Sequence, residues 1–246
     1  MFLTGFRRIN EKNLFLILLL LLTGCSSINK NKNIETTETH FIDSEIYDPL
    51  EPLNRRIYYF NAVVDRNIIL PTTKFYSKIT PDFLEKGISN FFSNLNEVPT
   101  ILNSTLQFKF DKTLVSSERF LVNSTIGFLG FFDVASNSLN LEKHKEDFGQ
   151  TLAFYHIPQG PYIILPILGP STARDTVGTT FEYISKPYTD PLQLIDYSQS
   201  TPEMLVLSSL NKRNDLNFRY YQSASAFEYD YIRFLYLKTR KFENEK

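Results

Sequence analysis

The residue whose type and setting point most directly to chemistry is Cys25, the only cysteine in the 246-residue chain. It closes the tetrad Leu22-Thr23-Gly24-Cys25, which follows the unbroken apolar run Leu14–Leu22 and a segment carrying Arg7, Arg8 and Lys12. A positive segment, a short apolar core and a small-residue junction are the grammar of a bacterial secretory signal. The tetrad has the pattern at which a signal peptidase cuts ahead of an acylated cysteine, and the Cys25 thiol would be the nucleophile that takes the diacylglycerol. The apolar run is far shorter than the roughly twenty residues a membrane-spanning helix needs. Residues 1–24 therefore read as a lipoprotein signal peptide and Cys25 as the lipidation site. A single cysteine excludes an intrachain disulfide, and its use for lipid excludes cysteine-based zinc or catalytic sites.

The remaining catalytic vocabulary is thin. His40, His144 and His156 are scattered, with no His-Glu-x-x-His spacing for zinc. No Gly-x-Ser-x-Gly elbow and no phosphate-cradling loop ending in Gly-Lys-Ser/Thr is present. We therefore expect no enzyme, no metal and no cofactor. A membrane-surface phospholipase would need a serine and His156 assembled by the fold, and a structural adaptor tethering envelope proteins is the other alternative. The net charge of −1 supplies no basic stripe for nucleic acid. The dense mixed charges of Glu142–Asp147 read as a solvated face. More telling are the 22 Phe and 14 Tyr, with no Trp. These aromatics exceed what a small soluble core needs, so some are expected to face lipid.

The elements that would position such residues follow from capping signals and apolar period. Removal of the signal leaves 246 − 24 = 222 residues, enough for one sizeable domain. Residues 25–47, polar and without apolar period, read as a flexible lipid-anchored tether. Asp48-Pro49-Leu50-Glu51 predicts a capped helix start, with Leu53, Ile57, Phe60, Val64 and Ile68 on one side and a stop at Pro71. Thr80-Pro81 opens a helix through Leu84, Ile88, Phe91 and Leu95, which Glu97-Val98-Pro99 interrupts before a shorter segment ending near Leu106. Asp111 is expected to cap a helix through Leu114, Leu121 and Val122 to about Thr125. Ser171 or Thr172 would cap one containing Arg174 and Asp175, and Thr201-Pro202-Glu203 another. The last helix would carry Tyr220, Ala224, Phe227, Tyr231 and Phe234. Only Tyr162–Leu165 looks extended, so the fold class is mainly α. Two apolar stretches fit a soluble bundle poorly. One is Ile126–Ala135, where glycines punctuate contiguous apolar residues, and the other is Gly160–Pro170, pinned by prolines. Exposed to water, the first would be an aggregation liability, so burial in protein or lipid is expected.

Asp48-Pro49-Leu50-Glu51 with Asn54-Arg55 and Tyr59-Phe60-Asn61, Arg119–Gly127 leading to Phe132-Asp133-Val134-Ala135, Phe148–Leu152, and Gly160-Pro161-Tyr162 with Leu165-Pro166, Gly169-Pro170-Ser171 and Arg174-Asp175 together resemble the MlaA/VacJ lipoprotein family. Order and spacing agree from Asp48 to about Gly178, and the terminal helix is similar in character. The resemblance implies a helical domain over residues 48–246, a ring-like arrangement of amphipathic helices in the periplasmic leaflet of the outer membrane. It implies an amphipathic pore, association with a trimeric porin, and exchange of phospholipid with a soluble periplasmic carrier, so that mislocalised outer-leaflet phospholipids are removed and lipid asymmetry is kept. The glycine-punctuated run Gly127, Phe128, Leu129, Gly130, Phe131, Phe132 and Asp133 is expected to form either an apolar hairpin at the pore that controls lipid access or a plain buried turn, and Asn61 to lie either at the membrane-facing end of the first helix or at a solvated position on it. Arg174 and Asp175 would either line the pore or form a local ion pair. Valine at Gly127 and Gly130 is expected to change outer-leaflet phospholipid without unfolding the protein.

Overall fold

The computed structural model describes residues 48–189 and 202–245, positions 217, 224 and 226 excepted. The expectations for Cys25, the signal and the tether lie outside the described residues. Helix α1 (Glu51–Val64) starts with Leu50 at its cap and no side-chain cap, Pro52 rather than Pro49 occupying the first turn. Asp48 is not the cap expected of it. Its carboxylate accepts from Asn54 Nδ2 at 2.8 Å, Tyr229 OH at 2.5 Å and Arg233 Nη1 at 2.9 Å, tying the start of the domain to its last helix.

The predicted stop at Pro71 is also corrected. A π-helical turn over Asp65–Ile69 follows α1, with the Leu70 N–H reaching back five residues to the Asp65 carbonyl. Proline inside a helix lacks a donor and crowds the carbonyl four residues back. The wider turn just before Pro71 relieves that crowding, and the chain runs straight on into α2 (Leu70–Ile79).

Helix α3 (Asp82–Leu95) and α4 (Glu97–Leu106) break at Asn96, as the Glu97-Val98-Pro99 signal implied. α5 (Phe110–Thr125) places Asp111 in its first turn rather than at the cap. The short α6 (Val134–Leu139) and α7 (Phe148–Phe154) are capped by Asp133, which accepts from Ser136 N, and Asp147, which accepts from Gln150 N. Strand β1 (Tyr162–Leu165) pairs antiparallel with β2 (Gly169–Thr172), Tyr162 opposite Thr172 and Leu165 opposite Gly169. Only β1 was legible in sequence. Thr172 caps α8 (Ala173–Thr189) through the Asp175 N–H at 3.1 Å, as expected. α9 (Pro202–Asp215) and α10 (Glu228–Glu245) follow. Tyr220 and Phe227 precede α10, Ala224 lies outside the described residues, and Thr201 does too.

The β1 edge is closed by α1 instead of by another strand. The Asn54 amide donates to Tyr162 O at 3.0 Å and accepts from Ile164 N at 2.9 Å, and Asn61 does the same with Leu165 O at 3.0 Å and Ile167 N at 2.7 Å. Seven helical residues and three strand residues both advance about 10 Å, so the two amides stay in register with the strand. Asn54, expected on an exposed first turn, is buried.

Burial runs against the usual pattern, in which the apolar stripe of a helix faces the core. On α1 and the turn beyond it, Asn54, Tyr58, Asn61 and Asp65 are buried while Leu53, Phe60 and Ile68 are exposed. On α4 the inward face is Thr100, Asn103 and Ser104, continued by Gln107. On α5, which packs against it, the inward face is Ser116, Arg119 and Asn123, with Leu114 and Leu121 outside. Among the described residues, buried polar side chains outnumber buried apolar ones more than twofold. The apolar core is small: Tyr58, Tyr162, Ile164 and Tyr229 in one cluster, Phe92 and Leu95 in another.

Candidate functional site

The expected hairpin forms between α5 and α6. It closes through Gly130 N to Asn123 O at 2.7 Å, Leu129 N to Ser124 O at 3.1 Å and Phe132 N to Gly127 O at 2.8 Å. Phe128 (φ 52°) and Leu129 (φ 58°) adopt left-handed backbone, uncommon for such side chains, and Gly130 follows at φ 89°. Ile126, Phe128, Leu129 and Phe132 are exposed, Phe128 by 72%. The two inward residues dock the loop on α3. Phe131 lays its ring where Gly87 has no side chain, an added Cβ there lying 2.1 Å from ring carbons, and its carbonyl accepts from Asn90 Nδ2 at 3.1 Å. Gly130 likewise leaves no room for a side chain against Asn94.

The glycines are therefore structural. A Cβ on Gly127 would fall 2.3 Å from the Phe132 carbonyl oxygen and 2.5 Å from that of Asn123, and one on Gly130 would meet Asn94 at 2.6 Å in a left-handed conformation. The valine replacements expected to leave the fold intact would instead break the loop.

Beneath the hairpin lies a charged frame. Arg119, 1% exposed, donates Nε to Glu97 Oε1 at 2.7 Å, Nη1 to Ser136 Oγ and Leu141 O at 2.7 Å each, and Nη2 to Asp133 at 3.2 Å. Asp133 also accepts from Asn123 Nδ2 at 3.0 Å and Ser136 N at 3.1 Å, and Asn123 Oδ1 accepts from Ala135 N. Burial alone would raise the Asp133 carboxyl, but the Ser136 and Asn123 hydrogen bonds and the Arg119 charge hold it below the usual carboxylate range. Asp133 thus anchors the loop from below, while Phe128, Leu129 and Phe132 carry its outer surface.

Arg174 and Asp175 lie in a second network. Asp175 accepts from Arg240 Nε at 3.1 Å and Nη2 at 2.9 Å, from Tyr236 OH at 2.9 Å and from Arg174 at 3.4 Å, with Arg174, Asp175 and Arg240 buried and Tyr236 half-buried. Arg240 also grips Asp147 with Nη1 at 2.7 Å and Nη2 at 2.9 Å. Burial works against both carboxylates, yet the Arg240 contacts keep each below its ordinary range. Gly149 and Gly178 pass within van der Waals distance here, which lets α7 and α8 meet at backbone contact. The charged stretch expected to be a solvated face is split. Glu142, Lys143 and Lys145 are exposed, Glu146 is buried against Lys109 at 3.2 Å and Lys112 at 2.5 Å, and Asp147 joins Arg240.

From sequence, Gly87 and Arg240 had no assigned role, and Glu97 only a place in the break before α4. Gly87 carried a signal, since glycine inside a helix costs about 1 kcal/mol and so marks a close approach. His156 is exposed in the turn after α7. Among the described residues no group of His, Cys, Asp or Glu is placed to hold a metal ion, and no helix is long and apolar enough to cross a membrane.

A family model for the MlaA lipoprotein matches residues 46–243, reaching well into α10. An uncharacterised protein of Rickettsia typhi is 38% identical over 169 residues, 69% of this chain and 66% of the relative. The intermembrane phospholipid transport system lipoprotein MlaA of Haemophilus influenzae is 32% identical over 65% of this chain and 62% of its own length. Its Escherichia coli K12 namesake is 34% identical over 64% of this chain and 60% of its own. The aligned part thus spans less than two thirds of each of these relatives. A solved structure described as the structural basis for maintenance of bacterial outer-membrane lipid asymmetry superposes with a TM-score of 0.66 at 28% identity, covering 80% of this chain and 98% of that one. With the family model spanning every element from α1 to α10, the chain belongs to the MlaA lipoprotein family.

Proposed function

We propose that this protein is the outer-membrane lipoprotein of a phospholipid transport system, removing mislocalised outer-leaflet phospholipids and passing them to a soluble periplasmic carrier. The observation that carries this reading is the inverted burial. Polar stripes of α1, α4 and α5 face inward while Leu, Ile and Phe side chains stand exposed on nearly every helix. In water each such large apolar side chain forgoes about 1.5–3 kcal/mol of burial. In hydrocarbon the same surface is at home, and helices too short or too polar to span can lie in the leaflet. Anchored through Cys25 and arranged as a ring in the periplasmic leaflet beside a trimeric porin, the chain would offer headgroups a polar route with acyl tails kept from water. Within it, the Gly127–Asp133 hairpin controls lipid access, its rigid base on Arg119 and α3 and its apolar tip in the leaflet. Asp175 holds α8 against α10 through Arg240 and Tyr236, and Arg174 ties α8 to the segment after α7 through the Ile157 carbonyl, beside that route. No bond is broken, so direction must be supplied by the partner.

The test is transfer of intact phospholipid from proteoliposomes containing the mature lipoprotein to its purified carrier. Transfer of unmodified lipid supports the proposal. Release of lysophospholipid that is lost on His156→Ala would support a phospholipase instead, and absence of transfer with retained porin binding would leave an adaptor.

A further inference from the structure

A cavity of about 320 Å³ opens between the π-helical turn, the β1–β2 turn and the segment after α9. Its volume falls in the range of roughly 300–1,000 Å³ typical of ligand pockets. Val64, Ile69, Ile167, Leu168, Leu216 and Phe218 supply apolar wall. Of the polar side chains that line it, all but Tyr220, whose ring packs edge-on against Tyr58 and Phe218, are bonded within the protein. Asn61 bonds the β1–β2 turn with both amide atoms, Tyr58 OH donates to Glu228, and Arg213 forms a fork on Asp65 at 2.6 and 2.8 Å while donating to the Leu216 and Phe218 carbonyls. With those groups satisfied within the protein and the rest of the wall apolar apart from the Tyr220 hydroxyl, the cavity suits a largely apolar ligand.

Two backbone features converge on the same place. The π-helical turn, a device frequent at functional sites, contributes Asp65 and Ile69. Ile167, β-branched, is held at φ 68° by the Asn61 amide and is 63% exposed. A β-branched residue in that region is strained, and such strain persists only where surroundings enforce it. Ile167, Leu168 and Leu216, all exposed, rim the opening with apolar surface.

We infer that this cavity is a binding site for one acyl chain of a phospholipid, distinct from the hairpin and entered between Leu168 and Leu216. The inference rests on the lipid-handling reading above. The test places the mature lipoprotein in vesicles of phosphatidylethanolamine and phosphatidylglycerol containing a phospholipid with a diazirine near the end of one acyl chain. Photolysis and peptide mapping follow. The expected result is adducts on residues 64–69, on Ile167 and Leu168, and on Leu216 and Phe218. Val64→Trp, filling the cavity, and Leu216→Trp, at its exposed rim, should each lower them at least fivefold while adducts at Phe128 and Leu129 persist. Adducts confined to the outward helix faces, or cavity adducts unchanged in both variants, overturn the site and leave lipid transport standing. Labelling by free diazirine fatty acid but not by the phospholipid overturns the assignment to phospholipid. No adduct anywhere overturns the transport reading together with the site.

Discussion

Arg119 holds three elements at once, joining α4 through Glu97, the loop after α6 through Leu141 O and the hairpin base through Asp133. Removing one member of a buried ion pair leaves the others charged and unpaired, which costs about 3–5 kcal/mol. Arg119→Met should therefore lower the free energy of chemical unfolding by that order and move its midpoint to lower denaturant, and an unchanged midpoint would show the network to be idle. The glycines behave differently. Gly127→Val forces a side chain into the Phe132 carbonyl and should abolish folded yield. Phe128→Ser with Leu129→Ser, at exposed positions, should keep the melting temperature yet slow phospholipid transfer several-fold if the tip meets lipid. Residue by residue, much of this was legible: the glycine-punctuated apolar run announced a loop needing unusual backbone. Gly127 was read as a lever of gating because sequence shows that a glycine is present, not which carbonyl fills the space beside it. Arg119 and Glu97 stayed hidden for a related reason, since a charge on a helix reads as solvated until its neighbours are known.

At the scale of elements, caps and apolar period located the α3–α4 break, the end of α5 and the Thr172 cap of α8, because those signals are local. What failed depended on partners. Pro71 was read as a stop, since nothing in sequence marks the π-helical turn that absorbs it. β2 was missed because Gly169-Pro170-Ser171-Thr172 gains extended form only by pairing with β1. Helix α10 is joined to α7 and α8 by Arg240 on Asp147 and Asp175, and to the start of α1 by Tyr229 and Arg233 on Asp48. Asp133, Asp147, Asp175 and Glu228 all titrate below their usual values in the folded chain. Each contributes stability that is present above the unfolded-state value near about 4 and is lost as pH falls through the folded value, because the unfolded chain then binds more protons. Melting temperature should thus be level near neutrality and drop steeply below about pH 4. Asp147→Asn with Asp175→Asn should lower the neutral value and flatten that drop. A profile unchanged by the two substitutions would contradict the role given to Arg240.

For the whole molecule, the decisive property is which way the apolar side chains face. Periodicity found part of the exposed stripes, Leu53 and Phe60 on α1 and Leu114 and Leu121 on α5, though Ile57 packs on the core and Val64 lines a cavity. It could not say which way they turn, because an amphipathic helix has the same pattern in a globular core and in a leaflet. The chain contains no tryptophan, so a single Trp placed at Phe60, Phe110 or Phe128 reports its surroundings without background. In proteoliposomes with brominated acyl chains, each of these should fluoresce at short wavelength and be strongly quenched, whereas a Trp at exposed, polar Lys143 should emit as in water and be quenched little. Water-like emission and negligible quenching at all three phenylalanine positions would mean that the outward face is not in lipid, and the proposed transport function would fall with it.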